Sequence, residues 1–173
     1  MKKYIFGTEP YDHQREAFEG SAEQENYALL MDMGTGKTKV CIDTIAHSFE
    51  KKKVDLAIIV APKGVIANWI GEIKAHLPER IETDTVLWKP NLTKAKRKEL
   101  VDLYKENDNL KFLLMNIEAF STKKGVDVAE FFVKKFKVFM AVDESTTIKN
   151  RQAKRTKSIC DVGRGAVMRR ILT

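Results

Sequence analysis

The chain has 173 residues, of which 43% are hydrophobic and 32% charged, with a net charge of +7. That is one domain's worth of chain, long enough to bury a core without metal or disulfide staples, and its balance excludes a disordered or collagen-like polymer. Cys41 and Cys160 are too few for a disulfide framework or a zinc ribbon, and they fit a reducing, cytoplasmic setting.

The predicted elements alternate. A helix over Tyr11–Gly20 precedes a strand, Tyr27–Met31, and a helix over Lys37–Glu50 follows. Lys51-Lys52-Lys53 reads as a solvated helix end, where cations meet the negative end of the dipole. Leu56–Ala61 is an apolar run of the kind buried in parallel sheets. In the next helix, Val65–His76, the residues Ile66, Trp69, Ile70 and Ile73 make an apolar stripe, which assigns Trp69 to the core. A weaker strand, Thr85–Trp88, a helix over Thr93–Asn107 and a strand over Lys111–Asn116 come next. Then come a helix over Val128–Lys135, a strand over Val138–Val142, a helix over Asn150–Asp161 and a strand over Arg170–Leu172. Strands and helices alternating at these lengths predict βαβ units, hence an α/β domain with a mainly parallel sheet covered on both faces. No apolar run is long enough to span a membrane, and no signal-peptide core follows Met1-Lys2-Lys3-Tyr4. His13, His47 and His76 stand apart, without a second ligand at metal spacing.

The strongest chemical signal is Met31-Asp32-Met33-Gly34-Thr35-Gly36-Lys37-Thr38, between a strand and a helix. Gly34 and Gly36 let the backbone turn its N–H groups around phosphate oxygens, with the positive end of the helix behind them. Lys37 can reach the β- and γ-phosphates, and the Thr38 hydroxyl can enter a Mg²⁺ shell. The full phosphate-loop template asks for Gly where Met31 stands. The second signal is the acid pair Asp143-Glu144 at the end of an apolar strand. Asp143 can hold a water of the Mg²⁺ shell, and Glu144 can orient and deprotonate an attacking water. Such a pair alone is as readily a helix N-terminal charge pair; the upstream loop favours the catalytic reading. Gln14, in Pro10-Tyr11-Asp12-His13-Gln14, offers both a donor and an acceptor to an adenine edge.

These motifs, in this order, resemble the first RecA-like lobe of superfamily-two helicases, and within them the SWI/SNF-type DNA translocases and their phage or bacterial relatives. Pro10-Tyr11 and Gln14 look like the adenine-reading motif, and Asp32-Met33-Gly34-Thr35-Gly36-Lys37-Thr38 resembles motif I. Ile59-Val60-Ala61-Pro62-Lys63, with Asn68-Trp69 and Glu72, is similar to motif Ia, which implies DNA contacts at Pro62 and Lys63. Asn116-Ile117-Glu118-Ala119-Phe120 resembles the next strand-to-loop motif, implying a DNA contact at Asn116. Asp143-Glu144-Ser145-Thr146 is similar to the Asp-Glu-Ala-His box, with Thr146 where the family usually has a His that couples the ATP site to motif III, and Ile148-Lys149-Asn150 matches the group's habit. The resemblance implies a RecA-like three-layer P-loop fold, ATP and Mg²⁺ as ligands, double-stranded DNA as partner, and hydrolysis with Lys37 and Glu144 in the catalytic roles. Ile171-Leu172-Thr173 looks like the opening of motif III, so residues 1–173 are expected to be a first lobe, nearly inactive without the second lobe and its arginine finger.

Residues 147–173 hold eight basic residues and one acid, Asp161, so the whole net charge sits there. Lys149, Lys154, Arg155 and Lys157 are candidate DNA or second-lobe contacts; a solvated basic helix is the alternative. Trp88 remains open between core packing and base stacking. Two other function classes stay in view: a small P-loop kinase, and a nucleotide- or nucleic-acid-binding module without motor activity.

Overall fold

The computed structural model describes residues 4–91, 93–148, 150 and 152–173. Six strands form one sheet in the order β1-β6-β5-β2-β4-β3, with every pairing parallel. The strands are β1 (Asn26–Leu29), β2 (Leu56–Ala61), β3 (Thr83–Leu87), β4 (Leu110–Asn116), β5 (Val138–Val142) and β6 (Met168–Leu172). The helices are α1 (Asp12–Ser21), α2 (Lys37–Glu50), α3 (Lys63–Ile66), α4 (Asn68–His76), α5 (Lys94–Tyr104), α6 (Lys123–Lys135) and α7 (Lys154–Arg164), with short 3₁₀ turns at Ile117–Ser121 and Ser145–Ile148. The expected α/β parallel architecture is therefore present.

The period-2 alternation of the strands splits the core in two. Ala57, Ile59, Phe112, Phe139 and Leu172 face α1, α2 and α4, meeting Phe18, Ile42, Ile45, Trp69 and Ile73. Ile58, Val60, Leu113, Met115 and Met140 face α5, α6 and α7, meeting Leu103, Phe132 and Ile159. Trp69 is core, as its stripe predicts; Trp88 lies in the second core at 2% exposure, so base stacking is excluded for it as well.

Several boundaries differ from the sequence reading, for local reasons. The expected helix Val65–His76 begins earlier, at Lys63, where Pro62 supplies the fixed φ of a helix entry, and it is divided at Ala67. Helix α6 starts at Lys123 rather than Val128, because the Thr122 hydroxyl accepts from the Gly125 amide and caps a first turn that its glycine conceals in the sequence. Helix α7 starts at Lys154 rather than Asn150; Asn150 instead makes a turn, accepting from the Gln152 amide through its side chain and from the Ala153 amide through its carbonyl. The lysine run is not merely solvated: Lys51 and Lys53, with His47, grip Glu23 in the turn after α1.

Two buried polar groups anchor the first helices. Lys39 pairs with Asp43 one turn on at 2.8 Å and donates to the Thr8 carbonyl at 3.0 Å, holding the amino-terminal segment on α2. Burial pushes the Asp43 carboxyl up, against the pull of Lys39. Arg170, 1% exposed, donates to the carbonyls of Ser21 and Gln24 at 2.7 Å, where its cation meets the C-terminal end of α1. Burial pushes the Cys41 thiol up to about 12, which leaves it inert as a nucleophile.

Candidate functional site

Because all six strands run the same way, their carboxyl ends share one edge. The loop 31–38 follows β1, Pro62 and Lys63 follow β2, Asn116 ends β4, and Asp143-Glu144 follows β5. The topology thus brings together the motifs that the sequence spreads over more than a hundred residues, at the edge where open α/β sheets bind ligands.

In the loop, Gly34 and Gly36 both take left-handed backbone, at φ 78° and 87°. Gly36 is the N-cap of α2, which leaves the amides of the first turn, at Lys37 and Thr38, directed out of the helix end. The Lys37 ammonium donates to the carbonyls of Met31 at 2.7 Å and Asp32 at 3.1 Å, so it lies across the loop's entrance with one proton to spare. The Thr35 hydroxyl and amide both donate to the Asp32 carbonyl, at 2.6 and 3.3 Å, closing a tight turn. Met33 points outward at 91% exposure.

Helix α1 braces this loop. The Gln14 side chain, 6% exposed, donates from Nε2 to the Thr35 carbonyl at 3.0 Å and accepts the Tyr11 amide on Oε1 at 3.1 Å. His13 donates from Nε2 to the same Thr35 carbonyl at 3.0 Å. Gln14 therefore reaches the loop itself and keeps one amide proton and one lone pair. A cavity of about 540 Å³ opens between α1 and the loop, lined by His13, Glu16, Ala17, Tyr27, Met31 and Thr35.

At the end of β5, Asp143 is 6% exposed and has a partner on each carboxylate oxygen. Oδ2 accepts from the Trp69 indole Nε1 at 2.9 Å, and Oδ1 accepts from the Glu144 amide at 2.9 Å. Its own amide donates to the Val60 carbonyl at 2.8 Å, extending the β5–β2 ladder by one bond. Glu144 has φ 51°, a left-handed conformation that costs a non-glycine residue energy and that clusters at working sites. It turns the chain sharply from β5 into the 3₁₀ turn Ser145–Ile148.

The candidate nucleic-acid residues are less uniform. Pro62 is the half-buried N-cap of α3 and Lys63 is exposed beside it. Asn116 spends its side-chain oxygen on the Ala119 amide at 2.9 Å, capping the 3₁₀ turn, and keeps its amide protons. Lys154 and Lys157 are exposed at the start of α7, and Arg155 is half-buried. Lys149 lies outside the described residues.

Residues 13–173 match the family described as the SNF2-related domain. The chain belongs to that family. It is 29% identical over 136 residues to the Arabidopsis thaliana protein named "Probable ATP-dependent DNA helicase CHR12", covering 78% of this chain and 11% of that relative. The SNF2-related domain seen here thus spans about a tenth of that protein's length. Its fold is similar to the Sulfolobus solfataricus SWI2/SNF2 ATPase core in complex with dsDNA, with a TM-score of 0.66 at 18% identity over 100% of this chain and 33% of the other. It is also similar to the UvsW helicase from Bacteriophage T4, with a TM-score of 0.66 at 14% identity over 95% of this chain and 52% of the other.

Two contacts at the candidate site of this SNF2-related domain are not visible from its sequence. His13 reads as an ordinary histidine, yet it bonds the loop through Thr35. Trp69 reads as core, which it is, but its indole N–H also meets a carboxylate 74 positions away. Nothing in the local pattern signals either contact; only the packing of α1 and α4 on the sheet creates them. No cluster of metal-ligating side chains occurs among the described residues, and no helix among them is long and apolar enough to cross a membrane.

Proposed function

We propose that residues 1–173 form the ATP-binding lobe of a DNA-dependent ATPase that couples hydrolysis to movement on, or remodelling of, double-stranded DNA. The observation that carries this reading is the convergence, on one sheet edge, of the loop bearing Lys37 and Thr38 with the acid pair Asp143-Glu144. The residues fit a nucleoside triphosphate. The loop is a backbone cradle in which a Cβ on Gly36 would stand 2.3 Å from Gln14 Nε2. The donor set is one ammonium for phosphate, with one hydroxyl and one carboxylate for a hard cation that keeps most of its waters. The cavity beside α1 has room for the base; Gln14 does not line it but bonds one lining residue, Thr35, and its remaining amide proton and lone pair suit an adenine edge.

In this reading Lys37 neutralises charge on the β- and γ-phosphates, while Thr38 and Asp143 hold Mg²⁺. When bound, Mg²⁺ neutralises the charge that develops on the phosphate oxygens. Glu144 takes a proton from the attacking water as its oxygen bonds to the γ-phosphorus and the bond to the ADP oxygen breaks. Pro62, Lys63, Asn116, Lys149, Lys154, Arg155 and Lys157 form the DNA side. The free thiols Cys41 and Cys160 suit the reducing cytoplasm.

The test is calorimetric titration of the chain with ATP and Mg²⁺, followed by phosphate release with and without duplex DNA. We expect ATP to bind weakly and turnover to be slow, because the chain covers 33% of the Sulfolobus core and an arginine finger from a second lobe is worth about 10³–10⁵ in rate. Absence of ATP binding, or transfer of phosphate to a small acceptor in place of water, would overturn the reading.

A further inference from the structure

The geometry points to Trp69 as a positioning residue for Asp143, an inference that rests on the proposed nucleotide site. The indole donates Nε1–H to Asp143 Oδ2 at 2.9 Å, and the Glu144 amide donates to Oδ1 at 2.9 Å. One donor on each oxygen fixes the rotation of the carboxylate about its Cβ–Cγ bond and selects which lone pairs face outward. The anchor itself is rigid: Trp69 is 1% exposed and packed in the core between α4 and the sheet. A buried indole pairs its N–H with an acceptor at little entropic cost, having only two side-chain torsions to fix. The other indole shows that such a partner is not supplied by burial alone, for Trp88 Nε1 is buried without a hydrogen-bond partner among the described residues.

The arrangement also has a direction. Trp69 is the second residue of α4, which follows α3 and the exposed Lys63 at the end of β2. The orientation of the Asp143 carboxylate is therefore set by the helix that continues from the candidate DNA contact, and not by β5 alone.

The decisive variant is Trp69→Phe, which keeps an aromatic ring in the core and deletes the N–H. Fluorescent ATP analogue is titrated onto the chain at a series of Mg²⁺ concentrations. Trp69→Phe should need about tenfold more Mg²⁺ for half-maximal binding, the scale of one hydrogen bond to a charged group, with unchanged binding in excess chelator. A second readout needs neither nucleotide nor metal: the ¹⁵N-indole NMR signal of Trp69 should move upfield in Asp143→Asn, while that of Trp88 stays in place.

An unchanged Mg²⁺ requirement in a folded Trp69→Phe, or an unmoved Trp69 indole signal in Asp143→Asn, overturns the inference. If Trp69→Phe unfolds, the indole signal decides. Lys37→Ala separates the two readings: analogue binding that survives Lys37→Ala sinks the nucleotide site, while the indole shift still reports on the Trp69–Asp143 bond.

Discussion

Gln14 on α1 and Thr35 in the glycine loop after β1 are joined by a 3.0 Å hydrogen bond from the side-chain amide to the backbone carbonyl, and the other end of that amide accepts the Tyr11 N–H. The loop is therefore held from outside as well as by its glycines. Gln14→Leu removes both bonds at nearly constant volume, each worth about 1 kcal/mol. ATP affinity, measured calorimetrically, should fall about tenfold, while the far-ultraviolet dichroism stays native. Undiminished affinity would mean that the brace is dispensable.

Gly36 and Gln14 should be coupled. An alanine at position 36 would meet strained left-handed backbone, costing about 1–2 kcal/mol, and overlap with Gln14 Nε2 at 2.3 Å. Shortening the glutamine removes the overlap and leaves the strain. In a double-mutant cycle on thermal stability, Gly36→Ala should thus cost less in a Gln14→Ala background than in the wild type. Strict additivity would show that the two side chains do not compete for the same space.

How much could be read beforehand follows from the range of each interaction. Helix α2 is predicted to its end residues because the glycine loop, a first-turn lysine and a long run are all local signals. Strand β3 is weaker in the sequence because it is an edge strand, half-exposed along most of its length. The start of α6 is hidden because Gly125 and two lysines argue against a helix, and only the Thr122 cap reverses that. The motif residues are legible as types, and their common edge follows from the parallel sheet. The contacts between them are not legible: Thr35 is reached from 21 residues away by Gln14 and Asp143 from 74 away by Trp69, and no periodicity encodes such distances.

Lys37 and Glu144 should separate binding from chemistry. Lys37→Ala removes the loop ammonium, and ATP binding should be lost in calorimetry. Glu144→Gln keeps the side-chain shape but cannot accept the proton, so ATP should bind with near-native affinity while phosphate release falls to background. The left-handed turn at Glu144 is retained in Glu144→Gln, since the backbone requirement is the same for both side chains. With a second lobe added, so that wild-type turnover stands above background, equal turnover in Glu144→Gln and wild type would place the base elsewhere.

The start of α7 should bind duplex DNA without sequence preference. Replacing Lys154, Arg155 and Lys157 with Gln should weaken binding and flatten its salt dependence, by about 0.9 in the logarithmic slope for each phosphate no longer neutralised. Fluorescence anisotropy of a labelled duplex between about 50 and 200 mM salt covers the range where such ion pairs dominate. A slope that does not change would make these residues a solvated face.

Glu23 gives a stability prediction with a defined sign. Hydrogen bonds from Lys51, Lys53 and His47 hold its carboxyl well below the ordinary value of 4.5. A group whose pKa is depressed on folding stabilises the fold above its unfolded pKa and loses that contribution as pH falls toward the folded value. The side chain is 46% exposed, so solvent and salt screen the cluster and its effect is modest. Glu23→Gln should therefore lower the urea midpoint at neutral pH. The difference from wild type should shrink as pH drops below 4.5, and it should also shrink in high salt at neutral pH. A difference that stays constant from neutral pH down to strongly acidic pH would show that the lysines and His47 hold Glu23 by packing, with no contribution from its charge.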